Sequence, residues 1–479
     1  MAFLIGGANS AADTGYDVAN SCRFEDGDSA YLSRSIGSGN QKTFTFSAWV
    51  KRGNLGTEQH LFGQREDDNN RTNIFFTSGD LLNIRSNSSG AGLHVNVITT
   101  QVFRDVSAWY HIVVAVDTED GTAANRVKTY VNGTQVTSFG TETYPAEDAT
   151  LVINNAVSHE VGSYDTSAGY FDGYMAEVVW IDGTQYAASN FGEFNADSPA
   201  IWQPTDVSGL TFGTNGFYLD FEASGNLGND ANGGTDWGET NLAATDQATD
   251  TPTNNFCTIS PYASQTRIQT LSEGNLQAYY SSGANWGTNW ATIAATAGKW
   301  YVEVLVTAYG SNGSNIGVMN VDSTAFPSLA SIGNGADEFS AGYYSTGILY
   351  RSSETNHTGN TNDDFDSYGA DDLISIAMDL DNGFFYWAKN GTWQNSGDPT
   401  SAGTGTGGVA TSYLTANETY TVVANIRSGT TISWNFGNPP TTFSISSGNA
   451  DADGYGNFEY APPSGYFALC TKNLAEYGG

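Results

Sequence analysis

The stretch from Trp109 to Val136, WYHIVVAVDTEDGTAANRVKTYVNGTQV, constrains the fold more than any other part of the chain. Ile112, Val114 and Val116 alternate with His111, Val113 and Ala115; a polar run from Asp117 to Asn125 breaks the pattern, and Val127 to Val131 resumes it up to Asn132-Gly133. A period of two is the pattern of a pleated strand. Asn-Gly marks a two-residue hairpin, because both central residues of a type I′ turn need φ > 0 and this pair adopts it at least cost. The stretch therefore reads as strand, loop, strand, tight turn, strand.

The same logic recurs along the chain, and composition agrees with it. Tyr, Phe and Trp make up 13% of 479 residues, only 14% are charged, and there are 56 glycines, a mixture that suits pleated faces and turns rather than helices. The length exceeds what one core serves, so two domains are expected. With 51 acidic and 17 basic side chains the net charge is −34, which repels phosphate backbones and anionic lipid, so a nucleic-acid partner is not expected; no window approaches the roughly twenty apolar residues of a membrane span, so membrane insertion is not expected either. Cys22, Cys257 and Cys470 are odd in number and far apart, which argues against a disulfide framework. MAFLIGGANSAADTG has a short apolar run and no basic region, unlike a secretion signal.

Three segments carry a family resemblance. The Trp-x-His opening with its Tyr-Val-Asn-Gly hairpin, FTFSAWVKRG (Phe44 to Gly53) and FDGYMAEVVWIDG (Phe171 to Gly183) together resemble the laminin G-like, concanavalin A-like jelly roll over about residues 20 to 200. That fold hosts lectins, glycosidases and adhesion modules, so the likeness implies architecture and leaves the ligand open. Further on, GKWYVEV, the Gly342-Tyr343-Tyr344 strand and DDLISIAMDLDNGFFYWAKNGTW (Asp371 to Trp393) resemble the SPRY, or B30.2-like, sandwich, which by that resemblance recognises peptide or protein through loops at one end. DTPTNNF (Asp250 to Phe256) and the closing phrase PPSGYFALCTKNL (Pro462 to Leu474) are similar to phrases in structural proteins of marine bacteriophages.

The expected organisation is all-β, with two β-sandwich domains joined by a long irregular connector: 1–20 an attachment segment with Phe3, Leu4 and Ile5 as its apolar plug, 21–200 the jelly roll, 201–270 the connector, and 271–479 the SPRY-like sandwich with its closing segment. Trp202, Trp237 and Phe256 are the expected anchors of the connector.

Binding is the expected chemistry. The tip Glu66-Asp67-Asp68-Asn69-Asn70-Arg71 offers carboxylates and amides either to Ca²⁺ or to sugar hydroxyls, with a plain solvated turn as the alternative; no other cofactor is expected. His159, Tyr164, Asp165, Tyr170 and Asp172 cluster around a glycine-punctuated turn. Trp286, Trp290, Tyr343, Tyr344, Tyr350 and Trp393 lie near turns of the second sandwich, and aromatic faces beside Asn and Asp suit a sugar. Catalysis is not expected. Asp220 and Glu222 alternate as a glycosidase pair would, yet the glutamate that opens the glucanase pattern is replaced by Tyr218 or Leu219. The five histidines show no zinc spacing, TSAGTGTGGVATS lacks the lysine of a phosphate loop, and Asp451-x-Asp453-Gly454 matches only half of a calcium loop.

Taken together, these features imply a phage virion protein, a tail fibre or receptor-binding component made in the host cytoplasm and released by lysis. It would contact other virion proteins and a host-surface glycan or protein as a homo-oligomer, a trimer by analogy with fibres. The alternatives are a capsid or tail decoration protein and a glycan depolymerase.

Overall fold

The computed structural model describes residues 4–5, 15–90, 92–165, 168–262, 269–281, 286–310, 313–321, 332–333, 339–351, 365–411 and 418–478. Two compact units emerge, Asp13–Asn254 and Asn255–Gly479 with Met1–Ala12. Each is a pair of packed β-sheets, so the all-β, two-sandwich expectation holds. Among the described residues no helix is long and apolar enough to cross a membrane.

In the first unit, one sheet runs Thr134–Gln135, Val127–Val131, Tyr110–Asp117, Thr43–Arg52, Gly173–Asp182, Ser21–Phe24, Gln247–Ala248. The other runs Phe139–Thr143, Gly92–Val102, Leu81–Ser88, Asn70–Phe76, Gln59–Asp67, Ser158–Val161, Tyr31–Ser35, Gly238–Thr240. The alternation read in the sequence is what lets them pack: Phe46, Val114 and Val116 from the first sheet meet Phe62, Ile74 and Ile84 from the second in one core. The Phe46 and Phe62 rings stack with centroids 5.4 Å apart. Burying each such ring is worth about 1.5–3 kcal/mol. The Asn-Gly turn forms as expected, with φ of 46° at Asn132 and 76° at Gly133, and Val131 paired to Thr134 across it.

The second unit pairs two further sheets. One runs Thr270–Ser272, Gln277–Tyr280, Thr430–Asn435, Lys299–Ala308, Leu373–Asp379, Phe384–Lys389, Thr392–Trp393; the other runs Gly287–Trp290, Tyr420–Ile426, Ser314–Asn320, Ser340–Tyr344, Leu349–Arg351. Val302, Val304, Ile376 and Trp434 from one face Val318, Tyr343 and Val422 from the other. The Asn390-Gly391 turn has φ of 48° and 79° and joins Phe384–Lys389 to Thr392–Trp393 in an antiparallel hairpin. The closing phrase docks as a short strand, Phe467–Ala468, parallel to Lys299–Ala308, with Phe458, Phe467 and Leu469 buried, and ends in a helix, Thr471–Tyr477.

The expected connector takes a different form. Most of it belongs to the first unit: Trp202–Pro204 pairs with Gly192–Phe194, Phe217–Leu219 with the central strand Gly173–Asp182, Gly238–Thr240 with Tyr31–Ser35 and Gln247–Ala248 with Ser21–Phe24. Phe217, Leu219, Phe221, Leu227 and Trp237 enter the core. The Gly, Asn and Asp between them are turns linking strands of two or three residues, too short to display alternation. Phe256 packs in the second unit, beside Tyr301 and Phe458.

Of the expected attachment residues, Phe3 lies outside the described residues, and the Leu4–Ile5 backbone pairs in parallel with Ile293–Ala294.

Candidate functional site

The expected tip at Asp67, Asp68, Asn70 and Arg71 closes on itself. Asp67 accepts from the backbone N–H of Asn69 and Asn70 and from the Asn70 amide at 2.7–3.0 Å, while Asp68 ion-pairs with Arg65 at 3.1 Å and lies 3.9 Å from Arg71. These contacts stitch the loop into a tight turn.

The second cluster is divided by burial. His159 is in the interior; its Nε2 accepts from the Asn154 N–H at 3.0 Å and its Nδ1–H donates to the Val157 carbonyl, and burial pushes its pKa down to about 4. Tyr164 stacks on His60 at 4.0 Å, Tyr170 lies against Tyr31 at 6.2 Å, and Asp165 pairs with Arg65 at 2.8 Å. Asp172 is buried next to Glu25 and Asp26, and the carboxylate oxygens of these three lie within 4.8 Å of one another. Burial, then the neighbouring acids, push the Asp172 carboxyl well above the usual range, and it shares a hydrogen bond with Asp26. These are the acids that could hold a hard cation, although Ca²⁺ asks for six to eight oxygens. Asp451 is committed otherwise: it takes the N–H groups of Asp453, Tyr455 and Ala468 and the amide of Asn473, so Asp451-x-Asp453-Gly454 is a structural turn.

Asp220 and Glu222 do not sit as the sequence alternation suggests. The strand stops at Leu219, Phe221 has φ of 59°, and the Glu222 N–H folds back to donate to Asp220, so the two carboxylates do not alternate along a strand. Nearby Glu177 is a buried acid at a register break, with φ of 50°; it accepts from Tyr218 at 2.7 Å and Tyr16 at 3.1 Å, and burial pushes its pKa up to about 7.

The aromatic set of the second sandwich also splits. Trp290 and Tyr343 are core residues, 1% and 0% exposed, and are thereby corrected as surface candidates: their side chains take the inward side of strands. Tyr343 packs edge-on against Phe365 and Tyr368 at 4.8 Å. Trp393 is half-buried against Tyr386.

Trp286, Tyr344 and Tyr350 do converge, around a residue the sequence did not single out. Gly287 pairs with Ile426 across an antiparallel ladder, which sets Trp286 and Arg427 opposite each other just past the paired ends, where side chains of a cross-strand pair meet. The Arg427 guanidinium lies 4.3 Å over the Trp286 ring, a cation–π contact. The Tyr344 ring meets Trp286 edge-on at 5.9 Å, and Tyr350 meets Tyr344 at 5.5 Å. Gly313, with φ of 86°, lets the Tyr344 hydroxyl lie against the backbone where a Cβ would sit at 3.1 Å. Tyr309, 39% exposed, adds a ring beside them and donates to Ser345 at 2.8 Å.

Among the described residues, no carboxylate lies within ion-pair distance of Arg427, and its buried Nε–H has no acceptor. Burial pushes the Tyr344 phenol up, with Arg427 opposing. The arrangement supplies flat apolar faces and a fork of N–H donors free to take planar oxygens. Its partners are far apart in sequence; the only advance signal was a lone arginine at a strand end in an acidic chain.

Residues 25–188 match the family model described as the concanavalin A-like lectin/glucanases superfamily. A search of curated proteins finds no match. Among solved structures, the chain is similar to the SPRY domain of human HERC1, at 17% identity over 39% of this chain and 99% of that one, with a TM-score of 0.28. It is similar to a Bacteroides ovatus protein suggested to bind carbohydrate, at 14% identity over 47% and 60%, with a TM-score of 0.32. It is also similar to domain 4 of the arabinanase AbnA from Geobacillus stearothermophilus, solved with arabinotriose, at 22% identity over 31% and 64%, with a TM-score of 0.24.

Proposed function

We propose that this chain is a glycan-recognition protein of a bacteriophage particle, a tail fibre or receptor-binding component, and that it binds without catalysis. The observation that carries recognition is Arg427, stacked on Trp286 and walled by Tyr344 and Tyr350 with no acidic partner among the described residues. In a chain of net charge −34, a guanidinium left without a carboxylate is available for a ligand. A sugar ring presents a C–H face to the aromatic rings and oxygens to the guanidinium. The carboxylate of a uronic acid suits it best, since Arg and carboxylate form two parallel charge-assisted bonds. The protein's overall negative field is screened beyond about 8 Å at physiological salt, so it does not decide this short-range contact.

The phage setting is supported by the likeness of Asp250 to Phe256 and of Pro462 to Leu474 to phrases in phage structural proteins. On this reading the protein is made in the host cytoplasm, assembles as a homo-oligomer on the particle and is released by lysis. Titrating the purified chain with polygalacturonate fragments tests the site: saturable binding that weakens at least tenfold in Arg427→Gln and declines with salt is expected. Equal binding by the variant would remove the assignment. An electron-microscopic map of the particle tests the setting, and a map without this chain on its surface would refute it.

A further inference from the structure

A cleft in the first unit differs in chemistry from the Trp286–Arg427 cluster. Thr100 and Gln101 at the end of the Gly92–Val102 strand, the hairpin and following segment from Val131 to Ser138, and the Gly192–Phe194/Trp202–Pro204 hairpin line a cleft of about 490 Å³, within the range of roughly 300–1,000 Å³ that ligand pockets occupy. None of its 14 lining residues is ionisable, although the chain holds 51 acids and 17 bases. One wall is aromatic, with Trp202, Trp109 and Phe194, the last 46% exposed and edge-on to Trp202 at 4.9 Å. The lining also carries the side-chain amides of Gln101, Gln135 and Asn132 among hydroxyls, the Asn132 oxygen already accepting from the His111 N–H at 2.7 Å.

The Trp202 ring is held before any ligand arrives. It lies against Gly133, where a Cβ would come within 2.2 Å of it. Its indole N–H donates to His111 Nδ1 at 3.0 Å, and His111 Nε2 meets Ser47 Oγ at 2.8 Å. An indole N–H only donates, so Nδ1 is bare and Nε2 carries the proton to Ser47. Trp49 stacks on the imidazole at 4.7 Å, and the hydrogen-bonded Trp202 ring lies beside it at 6.0 Å. A neutral ladder of rings therefore backs a neutral cleft.

We propose that this cleft binds an uncharged oligosaccharide, its pyranose rings packed against Trp202 and Phe194 and its hydroxyls taken by Gln101, Gln135 and Asn132. A charged ligand would find no counter-charge here, and a purely apolar one would strand the amides. The assignment is independent of the Trp286–Arg427 cluster and of its ligand.

The test is titration of the full chain with neutral hexasaccharides of the cellulose, laminarin, starch, xylan and mannan series, followed by tryptophan fluorescence and calorimetry. Saturable binding of at least one is expected, weakened tenfold or more in Trp202→Ala and several-fold in Phe194→Ala and Gln135→Ala, and unchanged in Arg427→Gln. Phe194 and Gln135 are exposed, so their variants report on binding even where Trp202→Ala unfolds. Failure of every neutral hexasaccharide to bind, binding confined to acidic oligosaccharides, or full affinity in Phe194→Ala and Gln135→Ala would each overturn the proposal.

Discussion

Replacing Gly133 by Ala should cost the first unit far more than a single methyl group suggests. Gly133 has φ of 76°, and placing an L-residue there costs about 1–2 kcal/mol. The added Cβ would lie 2.2–2.6 Å from three atoms of the Trp202 ring, so the ring must move and give up its bond to His111, leaving a buried acceptor without its donor at a further cost of about 1–3 kcal/mol. The sum is about 2–5 kcal/mol. In a unit of this size, each kcal/mol lowers the melting temperature by about 2–4 °C, so a fall on the order of 4–20 °C is expected by calorimetry. The reasoning is sharpest as a double-mutant cycle: in a Trp202→Ala background the clash is gone and Gly133→Ala should cost only the backbone term. The same cost in both backgrounds would refute the linkage between the turn and the indole.

Three further outcomes follow from buried charge. Lys51 and Asp250 form an ion pair at 2.6 Å with both side chains in the interior, and Asp250 also accepts the Trp109 indole N–H at 3.0 Å; Asp250→Ala should therefore destabilise by about 3–5 kcal/mol in urea unfolding, and a loss below about 1 kcal/mol would contradict the burial argument. Glu303, fully buried, accepts from Tyr301, Asn435 and the N–H groups of Glu459 and Tyr460, so Glu303→Ala should expose the closing segment to proteolysis, whereas an unchanged digestion pattern would show that the carboxylate does not hold it. For pH, burial pushes Glu160 and Glu177 up to about 7, and such raised values favour folding on the protonated side, so their contribution is lost as pH rises through 7. His60, His111 and His159 are pushed down to about 4, 3 and 4; their contribution is complete above the ordinary histidine value of about 6.5 and is lost as pH falls. Urea midpoints should thus decline on both sides of about pH 5–6.5, with the alkaline decline reduced in Glu177→Gln; a midpoint rising from neutral to alkaline pH would contradict this.

Where the sequence was legible, the reason is local. Alternation and Asn-Gly turns act over a few residues, so the strands Tyr110–Asp117 and Val127–Val131 and the meander from Leu373 to Trp393 were readable in advance. Phe217–Leu219 and Gly238–Thr240 were not, because three residues carry no period and their neighbours are turn formers. The candidate site was half visible: aromatic residues near turns were found, but residue type does not say which side of a strand a ring takes, so Trp290 and Tyr343 were counted with Trp286 and Tyr344. Arg427 was invisible because its meaning comes from the register between Gly287 and Ile426, a long-range pairing. Glu177 was hidden for a similar reason, since nothing local announces a left-handed residue within a central strand.

The central claim is recognition by aromatic surfaces with no reacting groups between them. Hydrogen exchange on the full chain, with and without a saturating glycan, tests it most directly. The account predicts protection around Trp286 to Trp290 and Tyr420 to Thr430 for an acidic oligosaccharide, with the sugar recovered intact. Protection centred on Asp220 to Glu222, with shortened sugar in the supernatant, would contradict it.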